Sequence, residues 1–120
     1  MTRQTHLAPP AWLKLFNANL HDPAALIAAL DELIHSHPAH LFTTNHLGQT
    51  SLHYAVRVAD PLVVSYLIAR GAPINAVDRM GNTPLHYAVR DPIDARNVIL
   101  LLAVSPRIDI KNKCSKRAWP

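Results

Sequence analysis

The chain is short of several things that would decide its class. It has one cysteine in 120 residues, Cys114, which has no intramolecular disulfide partner, so a reducing compartment is the default. Its longest apolar run, Val98 to Val104, falls far short of the roughly 20 residues that cross a bilayer. The opening Met1-Thr2-Arg3-Gln4-Thr5-His6 leads into no apolar stretch of signal-peptide length. These absences predict a cytoplasmic protein with no membrane partner, in the producing cell or in a host cell if a specialised system exports it. A charged fraction of 17% beside an apolar fraction of 49% excludes a disordered chain. Missing too are a glycine-rich phosphate loop, Gly-x-Ser-x-Gly and His-Glu-x-x-His. No enzyme is expected, and with it no catalytic residue, cofactor or small-molecule substrate.

What the chain does have is a phrase said twice. Gly48-Gln49-Thr50-Ser51-Leu52-His53-Tyr54-Ala55-Val56 returns as Gly81-Asn82-Thr83-Pro84-Leu85-His86-Tyr87-Ala88-Val89, with seven of nine positions identical. A fixed period between roughly 20 and 50 residues marks stacked supersecondary units. Gly48 and Gly81 permit a tight turn with positive φ. Thr50 and Thr83 suit helix N-caps, and Pro84 suits a first helical position. Leu52, Ala55 and Val56 then place an apolar stripe on one side of a helix. A second apolar helix, carrying Val63, Val64, Tyr66, Leu67 and Ile68, stops at Arg70-Gly71, where Gly71 can take the left-handed conformation.

Thr-Pro-Leu-His-x-Ala at this period, in a self-repeat that also carries Gly-Ala-x-Ile-Asn, resembles the ankyrin repeat. The resemblance implies an all-α solenoid of stacked antiparallel helix pairs joined by short hairpin-like loops. Gly48, Thr50, Leu52, His53, Gly71, Gly81, Thr83, Pro84, Leu85 and His86 are then structural repeat residues. It also implies that His53 and His86 tie the turn to the helix start, and that Tyr54 and Tyr87 pack between helices.

The rest of the chain reads as variations on this unit. Residues 1–10 form an N-terminal arm, and 11–120 the repeat domain. Within it, 11–47 is a degenerate capping repeat with Trp12, Leu13, Leu15 and Phe16 to bury and Asp22-Pro23 opening its second helix. Residues 48–80 are a full repeat, 81–114 a divergent one and 115–120 the start of a fourth unit. One residue is inserted in the divergent repeat, because Ile74 finds its counterpart at Ile108, one position later than the spacing of Gly48 and Gly81 requires. Val98 to Val104 is apolar nearly all round a helix and needs cover on more than one side. Trp119 folding back, a partner, a second copy meeting Val98, Leu101 and Leu102, or further chain would each supply it.

Net charge is +4, unevenly placed. Residues 1–60 hold three basic and four acidic side chains, whereas 61–120 hold nine and four. Lys111, Lys113, Lys116 and Arg117 surround Cys114, yet Trp119 is the one aromatic among them, so the tail reads as a solvated end and nucleic acid is not the expected partner. His35, His37, His40 and His46 crowd one loop with no cysteine or carboxylate pair to complete a zinc site, and no metal is expected.

By the resemblance, function is protein–protein interaction through loop tips and the exposed side of each first helix. Carried over by position, the contacts are His46, Leu47 and Gln49 in one tip and Arg79, Met80 and Asn82 in the next. Arg57, Val58, Arg90 and Asp91 stand on the first helices. The alternative is a docking or regulatory segment of a larger protein, or a self-associating stack.

Overall fold

The computed structural model describes residues 9–19, 21–90, 95–103 and 112. Asp91, Cys114, the basic cluster around it, Trp119, most of the N-terminal arm and the start of the fourth unit lie outside the described residues. Among the described residues six helices follow one another: α1 Ala11–Ala18, α2 Pro23–Ser36, α3 Ser51–Val58, α4 Pro61–Ala69, α5 Pro84–Arg90 and α6 Ala95–Ala103, with a 3₁₀ turn at Pro38–Leu41. Among the described residues there is no strand, and no helix is long and apolar enough to cross a membrane.

Local chemistry sets most of the helix boundaries. Asp22 and Asp60 each cap a helix that begins with proline, accepting from the backbone N–H groups of Ala25 (3.1 Å) and Leu62 (2.9 Å). A carboxylate there satisfies an orphan donor and complements the helix dipole, while proline has no N–H to lose. After α4, the N–H of Ala72 reaches the carbonyl of Leu67 (3.0 Å) around Gly71 at φ +94°. That is the left-handed stop only glycine takes at little cost.

The helices pair as α1/α2, α3/α4 and α5/α6, and the pairs stack in two rows. α3 packs on α5 in the inner row, and α4 lies between α2 and α6 in the outer one. A single core runs the length of the stack from Trp12 and Phe16 through Leu26, Leu30, Leu52, Val56, Val63 and Leu67 to Leu85 and Leu101. No pair buries its own apolar face alone, so each needs its neighbour. The first pair is closed by rings: Trp12 and Phe16 meet edge-on at 5.8 Å, and Tyr54 of α3 contacts both at 5.6 and 5.4 Å. The buried indole N–H of Trp12 donates to the Thr43 carbonyl (3.1 Å), which removes the penalty for its polar end. On the outer row, Tyr66 of α4 donates to Asp31 of α2 (2.8 Å). Burial first, and this bond second, push the phenol up to about 12.

The third pair keeps the architecture but not the chemistry. The first helices begin at Ser51 and Pro84, the second helices at Pro61 and Ala95. The wholly buried Leu67 and Leu101 of the second helices stand one residue further apart than the buried Leu52 and Leu85 of the first helices, so the inserted residue falls between Leu85 and Leu101. In that register Asn97 occupies the place of Val63, and Ile99 that of Ser65. Asn97 is 1% exposed while Ile99 is 65% exposed, a polar–apolar inversion within one helix. Leu101 is completely buried, and Val98 and Leu102 pack against the core, so the face expected to need outside cover is largely covered from within. Asn97 donates a long bond to the Val56 carbonyl (3.4 Å), but its own Oδ1 is buried with no partner among the described residues. An unpaired buried carbonyl costs about 1–3 kcal/mol, more than such a long bond returns. We therefore expect Asn97→Val to raise stability by about 1 kcal/mol. A fall in the urea midpoint would contradict this.

Candidate binding surface

The loop tips are built by short polar side chains turned onto their own backbone. Asn45 Oδ1 accepts from the N–H groups of Leu47 (2.9 Å) and Gln49 (3.0 Å). One repeat later, Asp78 Oδ1 accepts from Met80 and Asn82, both at 2.9 Å. The ends of each tip are zipped by a backbone bond, Asn45 to Gln49 and Asp78 to Asn82, each 3.0 Å. The turn needs a positive φ at Gly48 and Gly81, both +78°. At Gly48 a Cβ would also come within 3.0 Å of the Arg79 nitrogen. That close approach serves a bond between tips, from the Arg79 N–H to the Leu47 carbonyl (3.0 Å).

Behind the tips, His53 joins the two repeats. Its Nδ1 accepts from the backbone N–H of Thr50 (3.1 Å) and lies 3.0 Å from the Thr50 hydroxyl. Since a backbone N–H can only donate, Nδ1 is bare and Nε2 carries the proton, which is donated to the Asn82 carbonyl at 2.8 Å. The ring is fully buried. Burial lowers its pKa below the ordinary 6.5; the Asn82 carbonyl, the Asp78 charge and the Ala76 carbonyl pull the other way without undoing it. His86 repeats the local half of this arrangement, accepting from the Thr83 N–H at 3.0 Å.

A second buried network crosses between the same repeats. Asn45 Nδ2 donates to Gln49 Oε1 (3.0 Å), and Gln49 Nε2 donates to the Tyr87 hydroxyl (3.1 Å). That hydroxyl in turn donates to Asp78 Oδ2. Asn112 Nδ2 donates to Asn82 Oδ1 (2.8 Å). Gln49 and Asn82 are therefore only 3% and 5% exposed, and the expectation that they contact a partner at the tips is corrected. Gln49 spends both ends of its amide in this network, and Asn82 its Oδ1. Asn45, Asp78 and Tyr87 do as much for the tips as the glycines and were not singled out as site residues. The signal was present, as Asn45 and Asp78 stand at the same place in successive repeats, and Asn112 follows at the next such place once the inserted residue is counted.

The other expected contacts lie at the surface in varying degree. His46 and Arg79 are exposed, and Leu47 and Met80 are about half exposed. Arg57 and Val58 on α3 are half-buried, and Arg90 at the end of α5 is exposed. Arg57 and Arg90 share a platform, their guanidinium carbons lying 5.3 and 5.0 Å from the centroid of the Tyr87 ring. Both are within cation–π range. His37, the cap of the 3₁₀ turn, and His40 within it meet edge-on at 5.8 Å, ahead of the first tip. A cleft of about 570 Å³ opens between α1 and α2, with Lys14 and Glu32 as its charged lining.

Paired helices in two rows, ladder-bonded tips and a Thr-His cap at the starts of α3 and α5 define a helix-pair solenoid. The chain matches the family model for ankyrin repeats, in three copies, over residues 20–114, and it belongs to the ankyrin-repeat family. No curated protein matches it.

Because His53 is held neutral, its contribution to stability has a defined sign. The unfolded imidazole binds a proton near pH 6.5 and the folded one only at lower pH. Its stabilisation is thus complete above 6.5 and is lost as pH falls toward the folded value. We expect the urea midpoint to drop between about pH 7.5 and pH 5, with a shallower drop in His53→Asn than in the unsubstituted chain. An equal slope in both would remove His53 as the cause.

Proposed function

We propose that this chain is a protein–protein interaction module that engages its partner through the loop tips and the inner helix row. Ankyrin repeats generally serve that role. The observation that carries the reading is the pairing of Leu47 with Met80, 47% and 51% exposed at equivalent positions of successive tips. The backbone N–H of each is already taken up within its own tip, so the loop is ordered before any partner arrives. Met is an adaptable apolar contact, and the neighbouring Arg79 belongs to a residue type enriched in binding hot spots. A partner isolated by affinity capture supplies the test. Arg79→Ala combined with Met80→Ala is expected to weaken its binding by about tenfold with unchanged helical circular dichroism. Unchanged affinity removes the tips from the interface. The exposure of Ile99 favours a second reading, a self-associating stack, which light scattering at rising concentration separates from a monomer.

A further inference from the structure

We infer that the partner segment on the inner face is acidic, and that Arg57 and Arg90, mounted on Tyr87, are its principal anion contacts. This rests on the interaction-module reading and names the partner's chemistry.

The argument begins with where the charges lie. Five carboxylates fall among the described residues. Four are exposed and all belong to the outer row: Asp31 and Glu32 on α2, and Asp22 and Asp60 at the N-caps of α2 and α4. The fifth, Asp78, is buried and spends its oxygens on two backbone N–H groups and the Tyr87 hydroxyl. The inner helices and tips carry Arg57, Arg79 and Arg90, with no exposed carboxylate among the described residues there. Asp91 and Asp94 follow α5 in sequence and lie outside the described residues. Among the described residues the outer row sets four exposed carboxylates against Arg70 and Arg96, while the inner helices and tips carry Lys14, Arg57, Arg79 and Arg90 with none, so the balance is acidic at the back and basic at the front. Such a field attracts a partner of opposite sign and rejects a like-charged one.

Geometry makes two of these arginines better than scattered surface charges. Arg57 and Arg90 hold the same position in successive repeats, and both guanidiniums stand over the ring of Tyr87. That ring is 6% exposed and is held by Gln49 and Asp78, so the platform is rigid. A guanidinium over an aromatic face loses less freedom when it takes up a carboxylate, and its planar fork matches the geometry of that group. Leu47 and Met80, exposed in the tips that precede these helices, call for apolar side chains in the same partner.

The test uses labelled peptides of alternating Glu and Leu or alternating Lys and Leu, and a single-stranded oligonucleotide of matching length, with binding read by fluorescence anisotropy. The Glu/Leu peptide is expected to bind the whole chain and to weaken with added salt, and the Lys/Leu peptide not to bind. Arg57→Gln and Arg90→Gln should each lower its affinity by about fivefold or more, while Arg70→Gln, at the outer-row C-cap of α4, changes it by less than about twofold. Equal loss in all three variants, no preference for Glu over Lys, tighter binding of the oligonucleotide, or no binding of the Glu/Leu peptide each overturns the proposal. If Arg79→Ala with Met80→Ala releases the captured partner but Arg57→Gln and Arg90→Gln do not, the interaction module stands and the acidic partner falls.

Discussion

One imidazole ring holds the register of the tips. His53 is fully buried and uses both nitrogens, one to accept from its own helix start and one to donate to the next repeat. Only a rigid ring with an acceptor on one side and a donor on the other does this across a helix-to-loop gap. The shorter amide of asparagine lacks the reach. Because the acceptor is the backbone of Asn82, the ring fixes where the following tip begins, and the bond from Arg79 to Leu47 then locks one tip beside the other. The cost of burying a polar ring is offset by pairing both nitrogens, and that pairing requires the neutral form.

The equivalent positions of the repeats show a gradient from one end of the stack to the other. Tyr54 joins Trp12 and Phe16 in an aromatic closure, whereas Tyr87, one repeat on, faces polar partners and carries two guanidiniums. Val63 is buried among apolar neighbours, and its counterpart Asn97 is buried with an orphan oxygen. In a quasi-one-dimensional stack each repeat is stabilised by its own terms and its immediate interfaces. The third pair therefore carries a destabilising term that the second lacks, and it sits on the α6 side of the α3 contact.

Much of this was legible in the sequence, for a physical reason. Turns, caps and stripes are local, so Gly48, Thr50, Asp22-Pro23 and Gly71 announce themselves without tertiary knowledge, and the return of the phrase at Gly81 supplies the stacking. What was not legible depends on neighbours in space. Gln49 and Asn82 look like polar tip residues, but whether an amide faces water or a buried partner is decided by Tyr87, Asn45 and Asn112, the first and last of which lie a whole repeat away in the chain. The apolar run of α6 misled for a related reason. The inserted residue put Asn97 at a core position and Ile99 outside, so hydropathy no longer marks which side faces in.

The division of labour within a tip explains how one scaffold carries a specific surface. Asn45 and Asp78, the two glycines and the ladder bonds fix the backbone, and they are alike in kind from one repeat to the next. The exposed positions between them differ: His46 becomes Arg79, and Leu47 becomes Met80. A side chain mounted on an already ordered loop binds without the cost of ordering that loop. Substitution there leaves the fold in place, because the architecture of each tip is set by the residues behind its exposed side chains.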